Sequence, residues 1–205
     1  TMEEPIRISL PVSVSYPAME TVLKKQLVGE YLPKPEEGAE PYAQVLDVGI
    51  SGSSAAANEV ILRVKVSILR TVMKRDNVDL YVLATLGYDN ASQQLFVEQF
   101  RLSSRTSSTF YNTALEVMVN KVAYSQIIRK ANISLNTIIA TELAKANAML
   151  SEGLEVKEGI KLLGVVKEVR VQNITLLPQK VTLTVEVSGS LEASIQDLSG
   201  LLQFM

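Results

Sequence analysis

Lys180–Ile195 reads KVTLTVEVSGSLEASI and alternates apolar and polar positions without a break. Val181, Leu183, Val185, Val187, Leu191, Ala193 and Ile195 share one parity, with Gly189 between them. Side chains alternate faces along a strand, so the pattern predicts a strand with one apolar and one polar face. It is about three times the usual strand length of ~5–6 residues and would span ~50 Å. Gly189 marks a point on the apolar face where the strand bends or a neighbour comes close.

The same alternation recurs upstream. Ile6, Ile8, Leu10, Val12, Val14 and Tyr16 predict a first strand, in which Pro11 favours an edge or a bulge. Pro17 then opens a short amphipathic helix carried by Met19, Val22, Leu23, Leu27 and Tyr31, and PKPEEGAEP stops it after Leu32. Strands follow over 44–50, 60–68, 78–88 and 95–102, joined through SGSSAAAN, KRDN and DNAS. Together they predict an antiparallel meander, with flexible loops over 33–42 and 51–58.

From Ser108 to Leu150 the period lengthens. Tyr111, Leu115, Met118, Val122, Ala131, Leu135, Ile138, Ile139, Ala146 and Met149 follow one side of a helix, in a stretch without Pro or Gly. This predicts a single helix of ~60 Å. Ser125, Asn132 and Ser134 are its weak points, so a kink or loop belongs near Asn132, and Gly153 ends it. Strand then returns with Leu163, Val165, Val169 and Val171 on one parity and Ile174 and Leu176 on the other. The shift across Asn173 predicts a bulge or a crossing between packing surfaces.

The long helix and the long last strand have nearly matched lengths. An amphipathic sheet must bury its apolar face, and the long helix is the only partner of that length. The expected fold is therefore α+β: a long, strongly curled antiparallel sheet wrapped around a long amphipathic helix, with a short N-terminal helix, elongated overall. The whole chain, 1–205, reads as one domain with its core over 5–195 and a tail over 196–205. Two interiors are compatible with small aliphatic side chains. One is a filled core. The other is an apolar groove lined by Leu115, Val122, Leu135, Ile139, Val181, Leu183, Val185, Val187 and Leu191.

Three stretches carry a family resemblance: PIRISLPVSVSYPAMETVLKKQL, VDLYVLATLGYDNASQQLFVEQF and LLGVVKEVRVQNITLLPQKVTLTVEVSGSLEASI. The chain resembles the tubular lipid-binding superfamily, whose type member is bactericidal/permeability-increasing protein (BPI). Within it, the chain is most similar to a family of uncharacterised bacterial extracytoplasmic BPI-like proteins. The resemblance covers roughly Pro5 to Ile195 and rests on alternation with placed Gly and Pro, not on a catalytic signature. It implies a curled sheet on a long helix, an extracytoplasmic (periplasmic or envelope) location, and binding of a lipid or another hydrophobic ligand. Members usually have two such units. This chain looks like the second alone, and a natural single-unit protein or a piece of a longer one both fit.

Composition narrows the chemistry. The chain has no Cys, His or Trp, which removes cysteine nucleophiles, disulfides, zinc sites built on His or Cys, and Ser–His triads. No phosphate-binding glycine loop appears. Glu186 and Glu192 on the polar face of the last strand lie ~20 Å apart, too far for a glycosidase pair. PEEGAE lacks the spacing of a calcium loop. Net charge is -2, which gives no footprint for nucleic acid. The basic pairs Lys24–Lys25, Lys74–Arg75 and Arg129–Lys130 read as surface, with Lys74–Arg75, at a hairpin tip, placed for peripheral contact with membrane headgroups.

These observations point to a non-enzymatic binding protein for a lipid or other elongated hydrophobic ligand, with no cofactor, metal or catalytic residue. The alternative is a structural or interaction module of a larger envelope protein, with a filled core and no ligand. A hydrolase would have to draw its nucleophile, acid and base from Asp, Glu, Lys, Ser, Thr or Tyr, and the sequence does not cluster them.

Overall fold

The computed structural model describes residues 5–32, 40–41, 43–53, 58–69, 77–102 and 121–199. The chain divides into two compact units. One, the meander unit, comprises Ser13–Ser134 and Ile174–Thr182; the other, the ribbon unit, comprises Thr1–Val12, Leu135–Asn173 and Leu183–Met205.

In the meander unit, β2 (Tyr31–Leu32), β3 (Ala43–Gly52), β4 (Val60–Ile68), β5 (Asn77–Asp89), β6 (Gln94–Leu102) and β7 (Ile133–Ser134) form one antiparallel sheet in that spatial order. The alternation sets which side chains go inside. Leu62 faces Val82 and Val48 faces Val64 across the ladders, and all four are buried. A register shift between Val45 and Asp47 turns Leu46 outward and lets Val45 and Val48 both point into the core.

Helix α1 (Tyr16–Leu27) covers this face with Met19, Leu23 and Leu27, each buried and each contributing roughly 1.5–3 kcal/mol. Ser15 caps its start, accepting from Ala18 N at 3.3 Å, and Pro17 suits the first turn. The helix stops earlier than its periodicity suggests. Gly29 adopts φ +90°, and Gly29 N and Glu30 O pair with the backbone of Val45 at 2.8 and 2.9 Å, so Tyr31 and Leu32 continue as strand.

The expected long helix does not run unbroken through the described residues. Residues 108–120 lie outside the described residues. Beyond them, α2 (Lys121–Lys130) and α3 (Asn136–Glu152) are separate helices. Between them Ile133 and Ser134 pair with Leu95 and Gln94 of β6, and Ile133 is buried. Asn132 and Ser134 are poor helix formers flanking a β-branched residue, and sheet pairing plus burial of Ile133 outweigh continuation of the helix. The architecture of the described residues is thus mainly β, two antiparallel sheets with three short helices, and not a sheet wrapped around one long helix.

The second sheet has the order β1-β10-β9-β8, with β1 Ile6–Ser15, β8 Leu154–Lys157, β9 Ile160–Leu176 and β10 Lys180–Ile195. The last strand covers the residues its alternation marks. The parity shift across Asn173 falls where β9 passes from the ribbon unit to the meander unit. Tyr16 Oη donates to Leu177 O at 2.5 Å, and a Cβ at Gly52 would overlap the backbone of Leu177 and Pro178. The β9–β10 turn is therefore seated closely on the meander unit, to which it belongs.

Candidate functional site

Within the ribbon unit, β9 and β10 approach so closely that a Cβ at Gly164 would run into Ser190 O, and one at Gly189 into Val165 O. The gap in the apolar row at Gly189 is thus a place where a neighbouring strand comes close. Helix α3 meets the same stretch of β9. Asn147 Oδ1 accepts from Val166 N at 2.7 Å, and Asn147 Nδ2 donates to Val166 O at 3.3 Å. One side-chain amide thereby supplies both hydrogen bonds that a further strand would have made there.

A cleft of about 460 Å³ is lined by Pro5, just before β1, Arg7 of β1, Lys167 and Glu168 of β9, and Glu186, Ser188, Gly189 and Ser190 of β10. Gln172 Nε2 donates to Glu186 Oε2 at 2.5 Å. Arg7, Glu168, Gln172, Glu186, Ser188 and Ser190 therefore share the polar face. By alternation, Ile6, Ile8, Leu10 and Val12, together with Val165, Val169 and Val171, lie on the opposite face with the apolar row of β10; Lys167, of the same parity as these valines, interrupts that row and also lines the cleft.

That apolar face is covered at one end only. Leu183 is 2% exposed and Val185 7%, whereas Leu191 is 37% and Ile195 57% exposed. On β1, Ile6, Ile8, Leu10 and Val12 are all exposed. Among the described residues of the ribbon unit, Val171, Leu183 and Val185 are the buried hydrophobic ones, and no residue of α3 is buried. The exposed apolar residues thus lie together on one face of three adjacent strands and are not scattered singly over the surface.

The expected groove residues divide accordingly. Leu183, Val185, Val187 and Leu191 share the apolar face of β10, and Leu135 and Ile139 begin α3 in the same unit. Val181, fully buried, and Val122, on α2, belong to the meander unit. Leu115 and the pair Lys74–Arg75 lie outside the described residues, as do most of the two predicted loops and the end of the tail. Asn147 was not singled out from the sequence. Its one signal is an amide residue in the middle of a helix, where such residues are disfavoured.

The meander unit is packed differently. Its interior void, bounded by Met19, Leu23, Ile50, Leu62, Ala84 and Leu95 among others, is about 20 Å³, room for no more than one water. On the polar side of its sheet, Arg63 Nη2 meets Asp47 Oδ2 at 2.9 Å and Arg63 Nη1 meets Asp79 Oδ1 at 3.5 Å. Arg63 reaches Asp47 by crossing over Gly49. Its hydrogen bond holds the Asp47 carboxyl below the usual carboxylate range and raises the guanidinium of Arg63 in turn.

Among the described residues no group of three or more acidic side chains is arranged to hold a metal ion, and no helix is long and apolar enough to cross a membrane. No curated protein matches the chain. Residues 1–195 match the family described as "Domain of unknown function (DUF4403)", and the chain belongs to that family.

Proposed function

We propose that the protein is a non-enzymatic binding protein whose ribbon unit holds a lipid or another elongated hydrophobic ligand against the open apolar face of β1, β9 and β10. The observation that carries this reading is the row Val185, Val187, Leu191, Ile195, which leaves the core while keeping its parity, beside Ile6, Ile8 and Leu10 on the same face. A solvated role would not require apolar residues at those positions, and their burial by a ligand would contribute roughly 25 cal/mol per Å². The ligand surface is this sheet face and not a groove beside a long helix. The void between α1 and the sheet of the meander unit, about 20 Å³, is too small for such a ligand, which favours the open face of the ribbon unit over that interior.

The resemblance to bacterial extracytoplasmic BPI-like proteins supports a lipid as the ligand and an extracytoplasmic site of action; cell fractionation tests the latter. Extraction of the purified protein with organic solvent, followed by mass spectrometry, tests the ligand. A stoichiometric lipid is the expected result. Absence of any apolar molecule, together with no uptake of fluorescent fatty acids, overturns the reading. If the face instead docks a protein as part of a structural module, sedimentation will show self-association that Leu191→Asp abolishes.

A further inference from the structure

The polar cleft of the ribbon unit holds charge that a lipid on the apolar face does not use. It brings together Arg7 of β1, Lys167 and Glu168 of β9, and Glu186, Ser188 and Ser190 of β10 in about 460 Å³. Two cations and two carboxylates therefore share one concavity. Among the described residues, the side chains of Arg7, Lys167 and Glu168 have no ion-pair or hydrogen-bond partner, and the Glu186 carboxylate has only Gln172, which donates to Oε2. The cations of the cleft thus do not pair with the carboxylates beside them. The meander unit behaves otherwise: there Arg63 engages both Asp47 and Asp79.

The four charges sum to zero, so a simple anion or a simple cation would meet like charge as well as opposite charge. A ligand that carries both signs satisfies all four. Because the charges of the cleft stand apart, those of the ligand must be separated by a spacer. Arg7 and Lys167 offer several N–H donors, which suits the oxygens of a phosphate. Glu168, the second oxygen of Glu186 and the hydroxyls of Ser188 and Ser190 are acceptors, which suits the N–H groups of a primary ammonium. Among the described residues no aromatic side chain lines the cleft, so a quaternary ammonium would find no ring face to rest on. Glu186, Ser188 and Ser190 follow one another on the polar face over ~13 Å of strand, which leaves room for the spacer.

We propose that this cleft binds a phosphoethanolamine group. The phosphate lies between Arg7 and Lys167, and the ammonium meets Glu168 and Glu186, with the serine hydroxyls between them. The group is either the head of a lipid or part of a water-soluble phosphodiester. β1 is the outermost strand of its sheet, so a chain attached to the group reaches Ile6 and Ile8 around the edge of that strand. The site itself lies on the opposite face from the apolar row and does not rest on the lipid reading.

Four soluble probes test it by NMR, with the amide shifts of Glu168, Ser188 and Ser190 as the readout: glycerophosphoethanolamine, glycerophosphate, ethanolamine and glycerophosphocholine. The expected result is saturable binding of glycerophosphoethanolamine, about fivefold or more tighter than of the other three. Arg7→Gln/Lys167→Gln should weaken it about fivefold to tenfold, and the charge-preserving Arg7→Lys/Lys167→Arg should retain it. Glu168→Gln/Glu186→Gln should reverse the order, so that glycerophosphate binds better than glycerophosphoethanolamine. Arg7, Lys167 and Glu168 are exposed, so these variants fold, as melting curves will verify. Lysophosphatidylethanolamine below its critical micelle concentration separates the two sources. A lipid source gives tighter binding than the soluble probe and loses that gain in Ile8→Asp/Leu191→Asp, a soluble source gives no gain, and either result supports the site. Equal binding of glycerophosphoethanolamine and glycerophosphate by the wild type overturns the proposal. So does the absence of any saturable shift, or unchanged glycerophosphoethanolamine binding in Arg7→Gln/Lys167→Gln.

Discussion

Leu183→Ala and Leu191→Ala remove the same atoms from the same strand, parity and unit, so their difference isolates burial. Leu183 is 2% exposed and its neighbours on the face are buried. Its truncation loses nearly the whole transfer free energy and leaves a cavity, about 3 kcal/mol or more within the ~2–5 kcal/mol range for core leucines. Leu191 is 37% exposed. About two-thirds of a transfer contribution of ~2 kcal/mol is at stake there, and the vacated space opens to solvent, so the cost is about 1 kcal/mol. Urea unfolding followed by far-UV circular dichroism reads both values in the transition of the ribbon unit. Equal costs, or a larger cost at Leu191, would show that the apolar face does not emerge from the core between Val185 and Leu191.

Asn147→Ala should cost about 1–3 kcal/mol, since it strips both partners from Val166, and it should raise hydrogen exchange at the Val166 amide selectively. Gly164→Ala and Gly189→Ala should each lower the melting temperature severely, because the obstacle to a Cβ is backbone, whereas Ser188→Ala on the polar face should be nearly silent. Asp47 has its folded pKa lowered by Arg63, so its contribution is present above the unfolded value of ~3.9 and is lost as pH falls through the folded value. Asp47→Asn should therefore flatten the acid limb of a stability–pH profile below about pH 4, and an unchanged limb would remove the ion pair from consideration.

Strand existence and phase were legible in the sequence because one face of each strand is tied to burial. Lys180–Ile195 and Val60–Ile68 run over the residues their alternation marks. Burial itself was not legible. Val181 and Ile195 share a parity and a residue class, yet one is fully buried and the other 57% exposed, because alternation records which face a residue is on and not what covers that face. Helix continuity failed for a related reason. Ala131 and Leu135 keep the helical period on either side of the break, but Ile133 between them falls off that face and is buried from a strand, and only its pairing with Leu95 reveals this. The polar cleft was not legible because it draws residues from both ends of the chain. The parity shift across Asn173, by contrast, was readable and marks the boundary between the units.

The most direct test of the open sheet face as the ligand surface is titration of a fluorescent fatty acid into the wild-type protein and into Ile8→Asp/Leu191→Asp. Both positions are exposed, so the charges leave the fold intact, as melting curves will verify. Saturable uptake by the wild type and at least a tenfold loss in the variant are predicted. Equal affinity in the two proteins, or no uptake by either, would contradict it.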